Sequence, residues 1–223
     1  MALERELKYS SPDGLVPALA DIRAALAELG ADATDLGATT HVDVYYDNAG
    51  AVQAAGMALR VRSTGAQRVA TLKSRGDVMH GVHERDELEV PLPAAAAGSA
   101  PDPWPPECGQ HLPGGDLAAL HPRMIITTLR HRVTIVQDGA PAAELAFDEV
   151  TCKPAAEVAL EYSIDEVMFH EVELEALSAG GRSPVTAERL AQFGAALQNL
   201  LPLYPSDITK LERAATLLAA FAE

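Results

Sequence analysis

The amino-acid sequence predicts an α+β protein built on a mostly antiparallel sheet. Three observations carry this. Runs of alternating polar and apolar residues recur along the chain, with the period of a strand. Short turn sequences such as Thr64-Gly65-Ala66-Gln67 and Asp138-Gly139 separate several of these runs and join them as hairpins. Helical spacing is confined to segments near the two ends.

Taken in order, residues 3–9 alternate Glu4, Glu6 and Lys8 against Leu3, Arg5 and Leu7, a strand. Leu15 to Leu29 reads as a helix, with Ile22, Ala25, Leu26 and Leu29 on one face and Gly30 as its stop. Thr39 to Asp47 is β-branched and aromatic, a strand ending in the turn Asn48-Ala49-Gly50. Ala58 to Ser63 and Arg68 to Lys73 form a hairpin, and His83 to Pro91 is a further alternating strand. Pro91 to Gly115, with seven prolines, four glycines and four consecutive alanines, is an irregular excursion, mobile or covering an opening. A short helix near Asp116 to Leu120 follows it. Ile125 to Gln137, Ala142 to Thr151 and Glu157 to Glu175 supply the remaining strands. Ser183-Pro184 opens a helix to about Leu200, and Ser206 or Asp207 caps a last one to about Ala222. The count is seven or eight strands.

At 223 residues the chain fits one domain, 1–223, with 48% hydrophobic residues to build a core. The formal net charge of −15 excludes binding of a nucleic-acid polymer or an anionic membrane through the overall field. It leaves room for a basic cluster inside an acidic molecule. Two cysteines, Cys108 and Cys152, with no CxxC pair exclude a disulfide scaffold and a four-cysteine zinc site. A charged N-terminus in place of a signal sequence makes a cytoplasmic location the expectation.

The strands segregate charge by sign. Arg60 and Arg62 share one face, as do Arg130 and Arg132. Arg85, Glu87 and Glu89 share another, and so do Glu171, Glu173 and Glu175. Like charges side by side on a sheet repel. If the sheet curls so that these faces point inward, arginines and lysines can grip a polyanion. The glutamates then need a hard cation such as Mg²⁺ or Mn²⁺ between themselves and that anion. This pattern proposes a cation-bridged polyphosphate site and does not choose a substrate.

The order of the charged motifs resembles the CYTH superfamily, the triphosphate tunnel metalloenzymes. Glu4-x-Glu6-x-Lys8 resembles its ExExK signature, Tyr46-Asp47 its YYD strand end, Leu59-Arg60-Val61-Arg62 its LRxR element and Thr71-Leu72-Lys73 its TxK. Arg85-x-Glu87-x-Glu89 resembles its RxExE strand. Arg130-x-Arg132, Asp148, Glu171-x-Glu173-x-Glu175 and Lys210 follow in the family's order, so that the resemblance runs from about residue 2 to 215. It implies an eight-stranded antiparallel β-barrel with helices packed outside and a triphosphate in its lumen, with one or two divalent metals on glutamates. Members hydrolyse tripolyphosphate, thiamine triphosphate or nucleoside triphosphates, or cyclise ATP.

By position the resemblance makes Glu4, Glu6, Glu171 and Glu173 metal ligands. Glu87 and Glu175 become outer ligands or partners of basic residues, and Asp148 an arginine partner or a ligand of a second metal. Arg60, Arg62, Lys73, Arg85, Arg130, Arg132 and Lys210 would hold phosphates, with Arg123 as an alternative in the register near Arg130. Lys8 would touch the reacting phosphate or position the attacking water, which with Glu4 and Glu6 makes the catalytic set. The function expected is metal-dependent hydrolysis of a triphosphate, inorganic tripolyphosphate first. The alternatives are a class IV-type adenylyl cyclase, a thiamine or nucleoside triphosphatase, and a non-catalytic polyphosphate-binding module.

Other constellations are weaker. His80-x-x-His83 lacks a third zinc ligand, and no GxxxxGK[ST] loop occurs. Trp104, the single tryptophan, lies between Pro103 and Pro105, a poor stacking platform unless its loop folds over a mouth, which disfavours thiamine triphosphate. Pairing of two copies through an outer sheet face, a homodimer, is the expectation for assembly.

Overall fold

The computed structural model describes residues 1–11, 13–79, 81–177 and 185–220. Ten strands are present among them: β1 (Ala2–Ser10), β2 (Ala31–Asp47), β3 (Ala58–Thr64), β4 (Gln67–Lys73), β5 (Asp77–Met79), β6 (Val82–Leu92), β7 (His121–Gln137), β8 (Ala140–Pro154), β9 (Val167–Ala176) and β10 (Tyr204–Pro205). The helices include α1 (Leu19–Ala27), α2 (Ala51–Ala54), α3 (Pro106–Gly109), α4 (Ala187–Leu200) and α5 (Lys210–Ala219).

The pairing order β1-β9-β8-β7-β2-β3-β4-β6 closes on itself, because β6 also pairs with β1. Every pairing is antiparallel, so eight strands make a closed barrel, and β5 and β10 add to its rim. Closure gives each strand an inner and an outer face, and the alternation seen in the sequence decides which residues occupy each.

Much of the outer surface is apolar and covered. Leu7, Val133, Ile135, Leu145 and Leu174 pack beneath Ile22 and Leu26 of α1 and Leu190, Phe193 and Leu197 of α4. Gly194 lets α4 approach closely: a Cβ there would run into the Tyr9 hydroxyl and Leu7. Val44, Tyr46, Leu59, Val61, Ala70 and Leu72 form a second outer patch with Val52 of α2. The 91–115 excursion seals this patch with Cys108 and Leu112. Trp104 meets Tyr46 edge-to-face with ring centroids 4.9 Å apart. Arg68 ties the loop down through the carbonyls of Pro93, at 3.2 Å, and Ser99. The excursion therefore covers the outer wall over β2, β3 and β4, not an opening, because its buried residues are apolar and those strands expose an apolar outer face.

A third cluster lies on the inner side. Met124, Ile126, Val150 and Cys152 have the inward parity of β7 and β8, and Ala214 and Leu218 of α5 pack against them. Thus α5 closes one end of the lumen, whereas α1 and α4 lie outside.

Several boundaries differ from the sequence expectation. β2 starts at Ala31 rather than near Thr39, because it pairs with β7 along its whole length. A bulge between Asp35 and Gly37 bends it, with Gly37 at φ 74° and its N–H donating to Asp35 Oδ1 at 2.7 Å. β9 starts at Val167, and the preceding residues form a short 3₁₀ turn, Ala159–Glu161. The cap of α5 is Thr209, in a reciprocal capping box with Glu212, not Ser206 or Asp207. The expected opening of α4 at Ser183-Pro184 lies outside the described residues; the observed cap is Thr186. His80 and the end of the last helix at Ala222 also lie outside them.

Candidate functional site in the barrel lumen

The lumen holds a polar cavity of about 190 Å³. Lys8, Arg60, Arg62, Lys73, Arg85, Arg130 and Lys210 line it, together with Glu4, Glu6, Glu87, Glu89, Glu173 and Glu175. Asp148 and Glu171 stand behind this surface, buried at 3% and 0% exposure. Strand register explains the assembly. Lys8 faces Glu173 and Glu6 faces Glu175 across β1 and β9, Glu4 faces Arg85 across β1 and β6, and Lys73 faces Glu87 across β4 and β6. Arg130, Asp148 and Glu171 form one row across β7, β8 and β9. Lys210 reaches the lumen because it opens α5, which is pinned at the barrel end.

The charges are organised in three units. Glu4 accepts from Lys73 at 2.5 Å and Arg85 at 2.6 Å; Arg85 also meets Glu6, and Lys8 lies 3.0 Å from Glu6. Burial pushes the Glu4 carboxyl up, but Lys73 and Arg85 outweigh it and hold it at about 2. In the second unit Asp148 accepts two bonds from Arg130, at 2.8 and 2.6 Å, and one from Lys210 at 2.6 Å. Glu173 pairs with Arg130 and with Lys210 at 3.1 Å. Burial acts against the Glu173 charge, yet Lys210, Arg130 and Lys8 hold its carboxyl well below the ordinary value. In the third unit Asp43, fully buried, accepts from Arg62 at 2.8 and 2.7 Å and lies 3.6 Å from Arg60.

Two carboxylates are left short of partners. Both oxygens of Glu171 are buried without a hydrogen bond, with Lys210 at 3.5 Å and Arg213 at 3.6 Å. Burial, with Glu173 nearby, raises this carboxyl to about 7. Glu175 has no ion pair among the described residues, and burial, with Glu4, Glu6 and Glu87 close by, raises it to about 8. Among the described residues no three carboxylate, imidazole or thiolate groups already converge as a metal centre, since Glu4, Glu6 and Glu173 are held by cations. The donor chemistry nevertheless suits a hard divalent ion: oxygen ligands only, including two orphaned oxygens on Glu171. An added cation would offset the repulsion that raises Glu171 and Glu175.

Not every expected residue joins. Arg132 does not line the cavity; it pairs with Glu144 at 2.6 Å, partly exposed. Arg123 pairs with Glu161 outside the lumen. Tyr46 points outward, and it is Tyr45 that lines the cavity. Asp47 caps α2, accepting from the N–H groups of Val52 and Gln53. Sequence reasoning missed Asp43 and the buried His41, which contacts Thr64 at 2.7 Å. Their signal was present in the run His41-Val42-Asp43-Val44-Tyr45, where two polar residues and a tyrosine hold the inward positions of an otherwise apolar strand.

Comparison with known proteins then decides the family. The family model described as the CYTH domain matches residues 3–214. The chain belongs to the CYTH family. No curated protein matches the chain. Among solved structures, a Hippeastrum protein described as a candidate adenylyl cyclase with a dominant triphosphatase activity superposes with a TM-score of 0.56 at 18% identity, covering 96% of this chain and 95% of that one. A protein of Pyrococcus horikoshii OT3 superposes with a TM-score of 0.55 at 16% identity, covering 96% and 98%. At these identities the likenesses establish a shared fold: this CYTH chain has the closed eight-stranded barrel of its structural neighbours. No helix among the described residues is long and apolar enough to cross a membrane.

Proposed function

We propose that this CYTH protein hydrolyses a triphosphate inside the barrel, with inorganic tripolyphosphate as substrate and Mg²⁺ or Mn²⁺ as cofactor. One observation carries the reading: seven cationic side chains from β1, β3, β4, β6, β7 and α5 converge on a cavity of about 190 Å³ that α5 closes at one end. A guanidinium-rich enclosure of this kind suits phosphate oxygens, through charge-assisted hydrogen bonds. The described neighbour with triphosphatase activity shares the fold. The preference for an inorganic substrate is supported by the walls, where Tyr45 is the one aromatic residue among the described residues, while Trp104 lies on the outside of the barrel.

Glu4, Glu6, Glu171 and Glu173 are the residues that would hold the divalent ion, with Glu87 or Glu175 outside them; Asp148 serves Arg130 and Lys210 instead. When bound, the ion supplies charge neutralisation at the phosphate oxygens. The protein's own part is to bind and orient. Arg60, Arg62, Arg130, Lys73, Arg85 and Lys210 hold the non-bridging oxygens. Lys8, 3% exposed and between Glu6 and Glu173, presents its ammonium to the phosphoryl group being transferred. A water bonds to the terminal phosphorus as the bridging P–O bond breaks, its proton passes to a carboxylate, and orthophosphate and pyrophosphate leave.

A second reading has its own observation. A vestibule of about 340 Å³ shares Lys73, Arg85, Thr209 and Leu211 with the cavity and adds Met57, Val78 and His83. It gives a nucleoside a place beside the phosphates and supports ATP as substrate, with hydrolysis or cyclisation as the outcome. The test is a product screen of tripolyphosphate, ATP and thiamine triphosphate with Mg²⁺ and with Mn²⁺. Orthophosphate and pyrophosphate from tripolyphosphate are expected. Cyclic AMP from ATP without phosphate release from tripolyphosphate would replace this reading by the cyclase. Tight binding with no product would reduce the protein to a polyphosphate-binding module.

A further inference from the structure

Asp43 touches none of the open cavity, yet two cavity-lining arginines depend on it. It sits on the inner face of β2 with 0% exposure, directly opposite Arg62 in the β2–β3 register, while Tyr45 stands opposite Arg60. Arg60 and Arg62 occupy positions i and i+2 on one face of β3, so their guanidiniums repel each other in a poorly solvated space. Asp43 offsets that repulsion. It takes the Nε–Nη2 edge of Arg62 with two bonds, and Arg60 Nη1 approaches its second oxygen at 3.6 Å.

The contrast with the other buried aspartate is informative. Asp148 also holds two cations, but Arg130 and Lys210 are both shared with Glu173. A phosphate arriving there has to displace a carboxylate. Arg60 and Arg62 have no carboxylate partner other than Asp43 among the described residues, and the buried Nε of Arg60 has no hydrogen-bond partner. Arg60 also meets the Tyr45 hydroxyl, and both arginine side chains line the cavity. Burial pushes the Asp43 carboxyl up, but Arg60 and Arg62 hold it well below the ordinary range, so the anchor stays charged.

We propose that Asp43 is a positioning residue that fixes Arg60 and Arg62 as a pre-oriented pair of guanidinium donors for the triphosphate. The inference rests on the triphosphate reading above. A pair held from behind spends no side-chain ordering at the moment of binding, which is how a supporting residue raises affinity without touching the ligand. Because the pair grips substrate and transition state alike, its loss falls on KM and not on kcat.

The test compares wild type, Asp43→Asn, Arg62→Gln and the double variant. Tripolyphosphate turnover is measured with Mg²⁺, binding of the same salt by titration calorimetry, and folding by thermal melting. Asp43→Asn is expected to raise KM and Kd about tenfold while kcat stays within about threefold. In the Arg62→Gln background the same change is expected to have a much smaller effect, since its main route is gone. Unchanged KM and Kd in a folded Asp43→Asn protein overturn the proposal, as does an equal effect in both backgrounds. If Asp43→Asn does not fold, Arg60→Gln and Arg62→Gln decide together, because an unchanged Kd in both leaves Asp43 nothing to position. Wild type that fails to bind tripolyphosphate at all sinks the triphosphate reading itself; wild type that binds while the variants match it sinks only the role of Asp43.

Discussion

At the scale of single residues, Glu6 and His41 show how the lumen treats charge. Glu6 shares Arg85 with Glu4, lies 3.0 Å from Lys8 and faces Glu175 across the β1–β9 pairing. Glu6→Gln keeps the shape and removes the negative charge. Phosphate release is expected to fall by about two orders of magnitude, with the thermal midpoint little changed; full activity in that variant would remove Glu6 from the metal set. His41 lies 8% exposed, and burial with Arg62 and Arg130 nearby drives its pKa from 6.5 to about 4. The folded state therefore resists a proton that the unfolded chain accepts. The resulting stability is complete above pH 6.5 and is lost as pH falls towards 4, on the order of 3 kcal/mol in all. Glu171 and Glu175, raised to about 7 and about 8, gain stability over the same fall in pH. The His41 part is therefore read as a difference: in denaturant titrations wild type should lose about 3 kcal/mol relative to His41→Gln between pH 7 and 4. Of these roles, those of the ExExK glutamates came with the family resemblance, which the order of the motifs along the chain carries. His41 and Asp43 showed only as polar residues on one face of a strand, and their roles needed the neighbours across the sheet: Arg62 for Asp43 and Thr64 for His41.

At the scale of elements, strands were easier to read than helices and loops. Period-two charge marks β1, β3, β6 and β9 directly, since a closed barrel leaves one face polar and the other apolar. The 91–115 segment has no period, and its proline content says only that it is irregular. Its placement against Tyr46, Val61 and Leu72 follows from burial of apolar outer surface. Trp104→Ala should accordingly lower the thermal midpoint, by about 1–3 kcal/mol of stability, and leave KM for the triphosphate unchanged. A raised KM would return the loop to the mouth of the cavity. The amphipathic spacing of α5 likewise did not reveal that its apolar side enters the barrel. Leu218 is fully buried there, so Leu218→Ala should cost about 2–5 kcal/mol in a denaturant titration. The same helix carries Lys210 in its first turn, so KM should rise as well.

For the whole molecule, the net charge of −15 now has an internal counterpart. The seven cavity cations are already matched by Glu4, Glu6, Asp43, Glu87, Glu89, Asp148 and Glu173, so the lumen offers a free polyanion little net attraction. Removing divalent metal with a chelator should therefore weaken tripolyphosphate binding at least about tenfold in titration calorimetry, an effect larger than screening at constant ionic strength would give. Binding unchanged by chelation would show that the arginines alone suffice. The order of residues along the chain was enough to establish the strands, the sign of each charged face and the family resemblance, because a two-residue period and motif spacing are local properties. Closure of β1 onto β6, insertion of α5 and the pairing of Asp43 with Arg60 and Arg62 were decided in three dimensions. Each joins segments that are distant in sequence, and which of them meet depends on how the apolar outer faces and the buried charges find cover together.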